Sequence, residues 1–326
     1  MPSGIDMTPQ AGGFEGRRRD RAARFRLFIF AALFLLSSAV FTPASYAGSI
    51  RLLAVISGGA EFGGRLKEPS GLFFDEGKKR LYIADSGNRR IVSLDEDFKY
   101  LAELGSKDIE LPVSVVKNDN GQFISVDAGR GEIHLIETKK ESQIEPFKLM
   151  GGEAGTDIFV PGRIAIDGRN RLYVIDRLNK RIIVADGNGA VLRSIAVKDE
   201  GFYGFNDVRA DDEGNVYALD TIGGKVYIFD GSGNLTAKFS GKDSAGKPIF
   251  KFPVSLAADK KYIYVADVHA GTVFVFDKTG VLHHRIGKKG EREGEFSHPT
   301  YVFVDASERI FVIDGNRVQV LKEEKE

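Results

Sequence analysis

Six stretches of this chain close on the same phrase: Leu81-Tyr-Ile-Ala-Asp85, Phe123-Ile-Ser-Val-Asp127, Leu172-Tyr-Val-Ile-Asp176, Val216-Tyr-Ala-Leu-Asp220, Ile263-Tyr-Val-Ala-Asp267 and Ile310-Phe-Val-Ile-Asp314. The aspartates are 42, 49, 44, 47 and 47 residues apart. Runs of β-branched and aromatic residues favour strands. A strand phrase that returns with a period in the forties predicts a propeller, one four-stranded blade per repeat. The fold class is therefore all-β, a six-bladed propeller of antiparallel blades.

Working outward, each unit opens 14 to 16 residues before its aspartate, at Pro69, Pro112, Pro161, Phe205, Pro253 and Pro299. Proline suits the first residue of a strand, where no ladder donor is lost. An apolar strand follows, such as Arg163-Ile-Ala-Ile-Asp167, then turn residues such as Asp211-Asp-Glu-Gly-Asn215, then the repeated phrase. A third strand is expected around Ile91, Ile133, Ile182, Val226, Val273 and Val318. Turns such as Asp186-Gly-Asn-Gly189 lead into a fourth strand. The sixth unit stops after three strands. Ile50-Arg-Leu-Leu-Ala-Val-Ile56 resembles the fourth strands elsewhere, so the N-terminal strand is expected to complete the last blade and close the ring.

The N-terminus has the layout of an export signal. Six arginines between Arg17 and Arg26 precede an uncharged, mostly apolar run from Leu27 to Phe41, and Ser45 and Ala47 are small residues at a cleavage position. Fifteen residues are short for a membrane span. Residues 1–47 are expected to be a signal peptide, with residues 48–326 forming the propeller. The localisation expected is extracytoplasmic, with membrane anchoring if the leader is not cleaved. Beyond the leader, 40 basic residues face 43 acidic ones, which gives no overall field for nucleic acid or anionic membrane. The chain has no cysteine, which excludes disulfides, thiolate metal sites and a lipid-bearing N-terminal Cys.

Ala84-Asp-Ser-Gly-Asn-Arg-Arg-Ile91 and Gly294-Glu-Phe-Ser-His-Pro299, with Val302-Phe-Val-Asp305, resemble the repeat of the NHL family of six-bladed propellers. The resemblance covers residues 49 to 321. It implies the fold more than the function, because the family includes RNA binders, protein-interaction modules, sensor domains and a lyase. Family lyases that cleave carbinolamides hold zinc with histidines placed straight after the blade-opening proline, or four residues past the strand-end aspartate. Here those places hold Ser70, Val113, Gly162, Val254 and Thr300, and Gly271 lies four past Asp267. The pattern is not reproduced by His134, His269, His283, His284 or His298. Asn206-Asp207 is similar to the inner-strand pair of calcium-dependent lactonases, but the other blades lack it.

The strand-end aspartates read as turn formers that accept backbone N–H groups. One column differs between blades. Two residues past each opening lie Gly71, Ser114, Arg163, Asp207, Ser255 and Tyr301, at the mouth of the central channel. A cation, an anion and a phenol converging there suit a polar ligand. The alternative reading is that Arg163 and Asp207 pair with each other or with neighbours. The candidate ligand-binding residues are Arg163, Asp207, Tyr301, Ser114, Ser255 and Asn206, with no catalytic and no metal-binding residue. The loops after the aspartates add Arg89, Arg90, Arg130, Arg177, Lys180, Arg181, Lys225 and Arg317 on one face.

The function expected is an exported, non-catalytic binding or scaffold propeller that recognises a protein, a glycan or a small polar ligand. The alternative is a metal-dependent hydrolase or lyase, lactonase-like or amidating-lyase-like, built on the central funnel. No cofactor, no nucleic-acid partner and no membrane span in the mature form are expected, and a monomer is.

Overall fold

The computed structural model describes residues 49–105, 107–138, 143–151 and 158–324. The leader read in residues 1–47 lies outside them. Six four-stranded antiparallel sheets follow one another around an axis. Blade 1 runs Pro69–Asp75, Arg80–Asp85, Arg90–Leu94 and Tyr100–Gly105, from the axis outward. Blade 3 runs Pro161–Ile166, Arg171–Asp176, Arg181–Asp186 and Val191–Ala196. Blades 2, 4 and 5 repeat this order from inner strands Pro112–Lys117, Asp207–Ala210 and Pro253–Ala258. Inner strands of successive blades touch, and Pro299–Val304 of blade 6 touches Pro69–Asp75 of blade 1, so the ring is closed. The fourth strand of blade 6 is Ile50–Ile56, paired antiparallel with Arg317–Glu323 from Ile50 opposite Glu323 to Ile56 opposite Val318.

The repeated phrase is apolar without alternation because the second strand is covered on both faces. Leu172, Tyr173, Val174 and Ile175 have no exposed surface. Successive side chains of a strand point to opposite faces. Leu172 and Val174 accordingly enter the core shared with blade 2, beside Ile124 and Val126. Tyr173 and Ile175 enter the one shared with blade 4, beside Phe205 and Val216. Each such aliphatic burial contributes about 1.5–3 kcal/mol. The phrase thus stabilises two interfaces at once, which is why every blade carries it.

In five blades the proline pairs with the strand-end aspartate and a bulge follows before the ladder resumes. Blade 4 has no proline, and its inner strand begins later, at Asp207. The link from the closing strand into blade 1 holds a small ribbon, Gly58–Gly59 with Gly64–Arg65, around a 3-10 turn at Ala60–Phe62. The repeat pattern does not announce it. Among the described residues no helix is long and apolar enough to cross a membrane.

Candidate functional site

One face of the ring carries two sets of loops, those entering the inner strands and those leaving the second strands. Both are tied to the strand-end aspartates. Asp85 accepts the Lys67 backbone N–H at 2.7 Å and the Arg90 Nε at 2.8 Å. Asp127 accepts the N–H groups of Glu110 and Leu111 at 2.7 and 3.0 Å, and that of Gly129 at 3.0 Å. Asp267 takes Lys251, Phe252 and Ala270 in the same way at 2.7, 2.9 and 2.8 Å. All six aspartates are buried. In blades 1, 2, 4, 5 and 6 the aspartate accepts from the loop before the blade, whereas Asp176 accepts from Asn179 and Arg181 of its own blade.

The bases of this face divide accordingly. Arg90, Arg181 and Arg317 bind their own blade's aspartate at 2.8, 3.0 and 2.8 Å. Lys225 reaches instead to Asp199, at 3.2 Å. Asp199 sits in the link from blade 3, outside the repeat, and also receives Lys238 at 2.8 Å and the Tyr227 hydroxyl at 3.0 Å. Asp220 is left to the backbone of Tyr203 and Gly223. Arg130 makes a loose 3.6 Å contact with Glu110 and donates to the Lys107 carbonyl at 3.2 Å. Arg89, Arg177 and Lys180 are exposed.

At the axis, Arg163, Asp207, Ser255 and Tyr301 form one network. Asp207, with no exposed surface, lies 3.1 Å from Arg163 and 2.8 Å from Arg209. It also accepts the Ser255 hydroxyl at 2.6 Å and the backbone N–H groups of Leu256 and Val208 at 2.9 and 3.0 Å. The Tyr301 ring lies between the two guanidiniums, 4.7 Å from that of Arg163 and 4.8 Å from that of Arg209, and its hydroxyl donates to the Leu72 carbonyl at 3.2 Å. Arg163 donates further to the carbonyls of Val254 and Thr300, at 3.3 and 3.2 Å. Burial works against the Arg209 charge, yet Asp207 beside it holds the pKa above the ordinary arginine value. Burial likewise raises the Tyr301 phenol. The network fills the channel with side chains whose polar atoms answer one another.

Ser114 is separate from it. Its hydroxyl accepts from the Ile164 N–H at 3.2 Å and faces the Ile164 carbonyl at 3.3 Å, joining the inner strands of blades 2 and 3. Ser255 does the same for blade 6, accepting the Val302 N–H at 3.2 Å. Asn206 stays within blade 4, accepting the Thr221 N–H at 3.0 Å. Arg209 is the network member that the column of inner-strand starts does not contain. Its signal is an arginine in mid-strand, where the other blades have Phe73, Val116, Ala165, Ala257 and Phe303. Residues two apart share a face, so it had to join Asp207.

The histidines are dispersed. His134 and His284 meet Glu132 and Glu323 at 3.4 and 2.8 Å. His269 stacks on Phe252 at 5.0 Å, and His283 lies edge-on to Tyr262 at 5.0 Å. Among the described residues no three of His, Asp and Glu gather as a metal site would need.

Residues 252–322 match a family described as a 6-bladed beta-propeller. The chain is 28% identical over 172 residues to the protein brain tumor of Drosophila melanogaster, covering 48% of this chain and 15% of that protein's length. Among solved structures it is similar to virginiamycin B lyase from Staphylococcus aureus, with a TM-score of 0.58 at 12% identity over 84% of this chain and 99% of the other. A gluconolactonase from Xanthomonas campestris gives 0.59 at 15% identity, again over 84% and 99%. At such identities the likeness is one of fold.

Proposed function

We propose that this protein is an exported binding and scaffold propeller that meets its partner with the face bearing the aspartate-stapled loops. One observation carries the reading. Twelve large apolar side chains are exposed among the described residues, and seven of them stand on this face: Leu111, Ile158, Val160, Leu178, Tyr203, Ile222 and Phe252. The loops of blades 2 to 5 supply them all. The other five lie on or next to outer strands. Exposed apolar side chains concentrated on one face among charged loops suit an interaction surface. In this reading the polar contact is made at the centre of that face, where Arg163 is partly exposed and is held by Asp207, with Tyr301 and Ser255 in the same network. Ser114 and Asn206 keep the surrounding inner strands and loops in position.

The test is crosslinking in the native cell envelope with the wild type and with a Leu178→Asp, Ile222→Asp double variant. The wild type should give a discrete adduct that the variant loses while its melting temperature stays within a few degrees. Stoichiometric, tightly held zinc or calcium in the purified protein would overturn the reading in favour of the hydrolase or lyase alternative.

A further inference from the structure

We infer that the centre of this face is a seat for a side-chain carboxylate, carried inside an extended peptide segment whose neighbouring residues are apolar. The inference rests on the binding-face reading above and names the chemistry of its partner.

Three guanidiniums and one carboxylate lie at or beside the starts of the inner strands. Asp207 is shared by Arg163 and Arg209. Arg177 makes no ion pair among the described residues, although its side chain is exposed beside the mouth. Gly162 explains how it comes there. A Cβ at that position would fall 3.1 Å from the Arg177 Nε and 2.9 Å from Ile175, so glycine is what lets the arginine lie along the start of the blade 3 inner strand. Partial withdrawal from water, and then the Arg163 charge, lower the pKa of Arg177. Arg163 and Arg209 share the single charge of Asp207, so with Arg177 the centre of the face carries positive charge in excess, and an incoming carboxylate can offset it and meet the Arg177 guanidinium through two parallel hydrogen bonds.

The surroundings choose among anions. Val160, Leu178 and Ile222 stand on loops of blades 3 and 4, and Leu111 and Phe252 on blades 2 and 5 to either side. Below the mouth Tyr301 and Asp207 are buried and hold Arg163 and Arg209 against one another at the axis. A chain lying across the face would place apolar side chains on both flanks of the mouth and one acidic side chain over Arg177. A free small anion uses none of the flanks. A nucleic-acid strand would bring many phosphates to a face where Arg90, Arg181, Lys225 and Arg317 are already neutralised.

The experiment is a display library of about nine-residue peptides with randomised positions, selected on the full chain. Selected peptides should share a central Asp or Glu with apolar residues on both sides. Arg177→Gln should weaken them by about tenfold, Arg177→Lys should restore part of the loss, and both variants should melt like the parent. Replacing the peptide's acid by its amide should weaken the wild type equally and leave Arg177→Gln unaffected. Peptides that bind without an acidic preference, and that lose affinity on Ile222→Asp but not on Arg177→Gln, keep the binding face and overturn the carboxylate seat. Failure to select any peptide overturns both. Tighter binding of a single-stranded oligonucleotide, with a steep salt dependence, overturns the peptide assignment.

Discussion

Asp207 shows what one buried charge does in this ring. It takes five contacts from three blades, those of Arg163, Arg209, Val208, Ser255 and Leu256. Asp207→Ala strands two guanidiniums at the axis, so the loss should be large, about 3–5 kcal/mol of unfolding free energy. Arg163→Ala leaves Asp207 its other four partners and should cost clearly less. Urea denaturation of both variants checks the order, and equal losses would mean that Arg209 does not hold Asp207 alone. Lys278 is a second informative residue. Its ammonium lies 4.0 Å from the centre of the Tyr217 ring without a hydrogen-bond partner. Burial brings its pKa down from 10.5 to about 8, although Asp259 and Asp211 pull the other way. The folded protein therefore releases this proton before the unfolded chain does. Between about pH 8 and pH 10 the unfolded state binds more protons, and stability should rise with pH. Above pH 10 the buried tyrosines Tyr173, Tyr217 and Tyr264 act in the opposite direction, because burial raises their phenols and favours the protonated fold. Chemical denaturation from pH 7.5 to 10 should show the rise in the wild type and lose it in Lys278→Met.

At the scale of the element, the turn after each second strand sets a backbone requirement. The fourth residue past the aspartate has positive φ in five blades: Arg89 at 57°, Gly131 at 68°, Lys180 at 53°, Gly224 at 58° and Gly271 at 62°. A residue with a Cβ costs about 1–2 kcal/mol there. Gly131 has open space around it, so Gly131→Ala should show that strain alone. At Gly271 a Cβ would fall 2.7 Å from Lys289 and 2.9 Å from the Phe296 carbonyl. Gly271→Ala should therefore lower the melting temperature markedly more than Gly131→Ala, as calorimetry of the pair can show. The same scale explains what could be read in advance. The phrase ending in Asp85 serves two interfaces and a staple, so its composition is fixed three times over and stands out. The partner of Lys225 did not stand out, because Asp199 lies in a link that obeys no repeat. The column at the inner-strand starts was visible, and it pointed to Arg163, Asp207 and Tyr301. Which of its members reach the surface was not, since that depends on Arg209 and on how six strands converge. The apolar side chains of the face, such as Ile222 and Tyr203, occupy irregular loops that no periodicity distinguishes from surface turns.

For the whole molecule the decisive event is closure. Ile50–Ile56 comes from one end of the chain and Arg317–Glu323 from the other, and together they make blade 6 four-stranded. The closing strand also divides its side chains between two cores. Ile50 and Leu52 pack beside Tyr264, Val312 and Leu321. After a bulge between Leu52 and Ala54, Ile56 packs among Phe62, Val318 and Val320, joined by Leu53 and Ala54. Removing residues 49–58 would take apolar surface from both cores and leave Arg317–Glu323 as an open edge, a template for pairing with other chains. Loops elsewhere can be lost from a repeat protein with local effects, but this strand is what makes the last blade contact the first as a complete sheet. The truncated protein should melt broadly or aggregate, and a synthetic peptide of residues 49–58 added during refolding should recover a cooperative transition, because the missing ladder can form between chains as it does within one. Differential scanning calorimetry and light scattering decide the matter. A truncated protein that melts as sharply as the parent and stays monomeric would show that the ring holds without its closing strand.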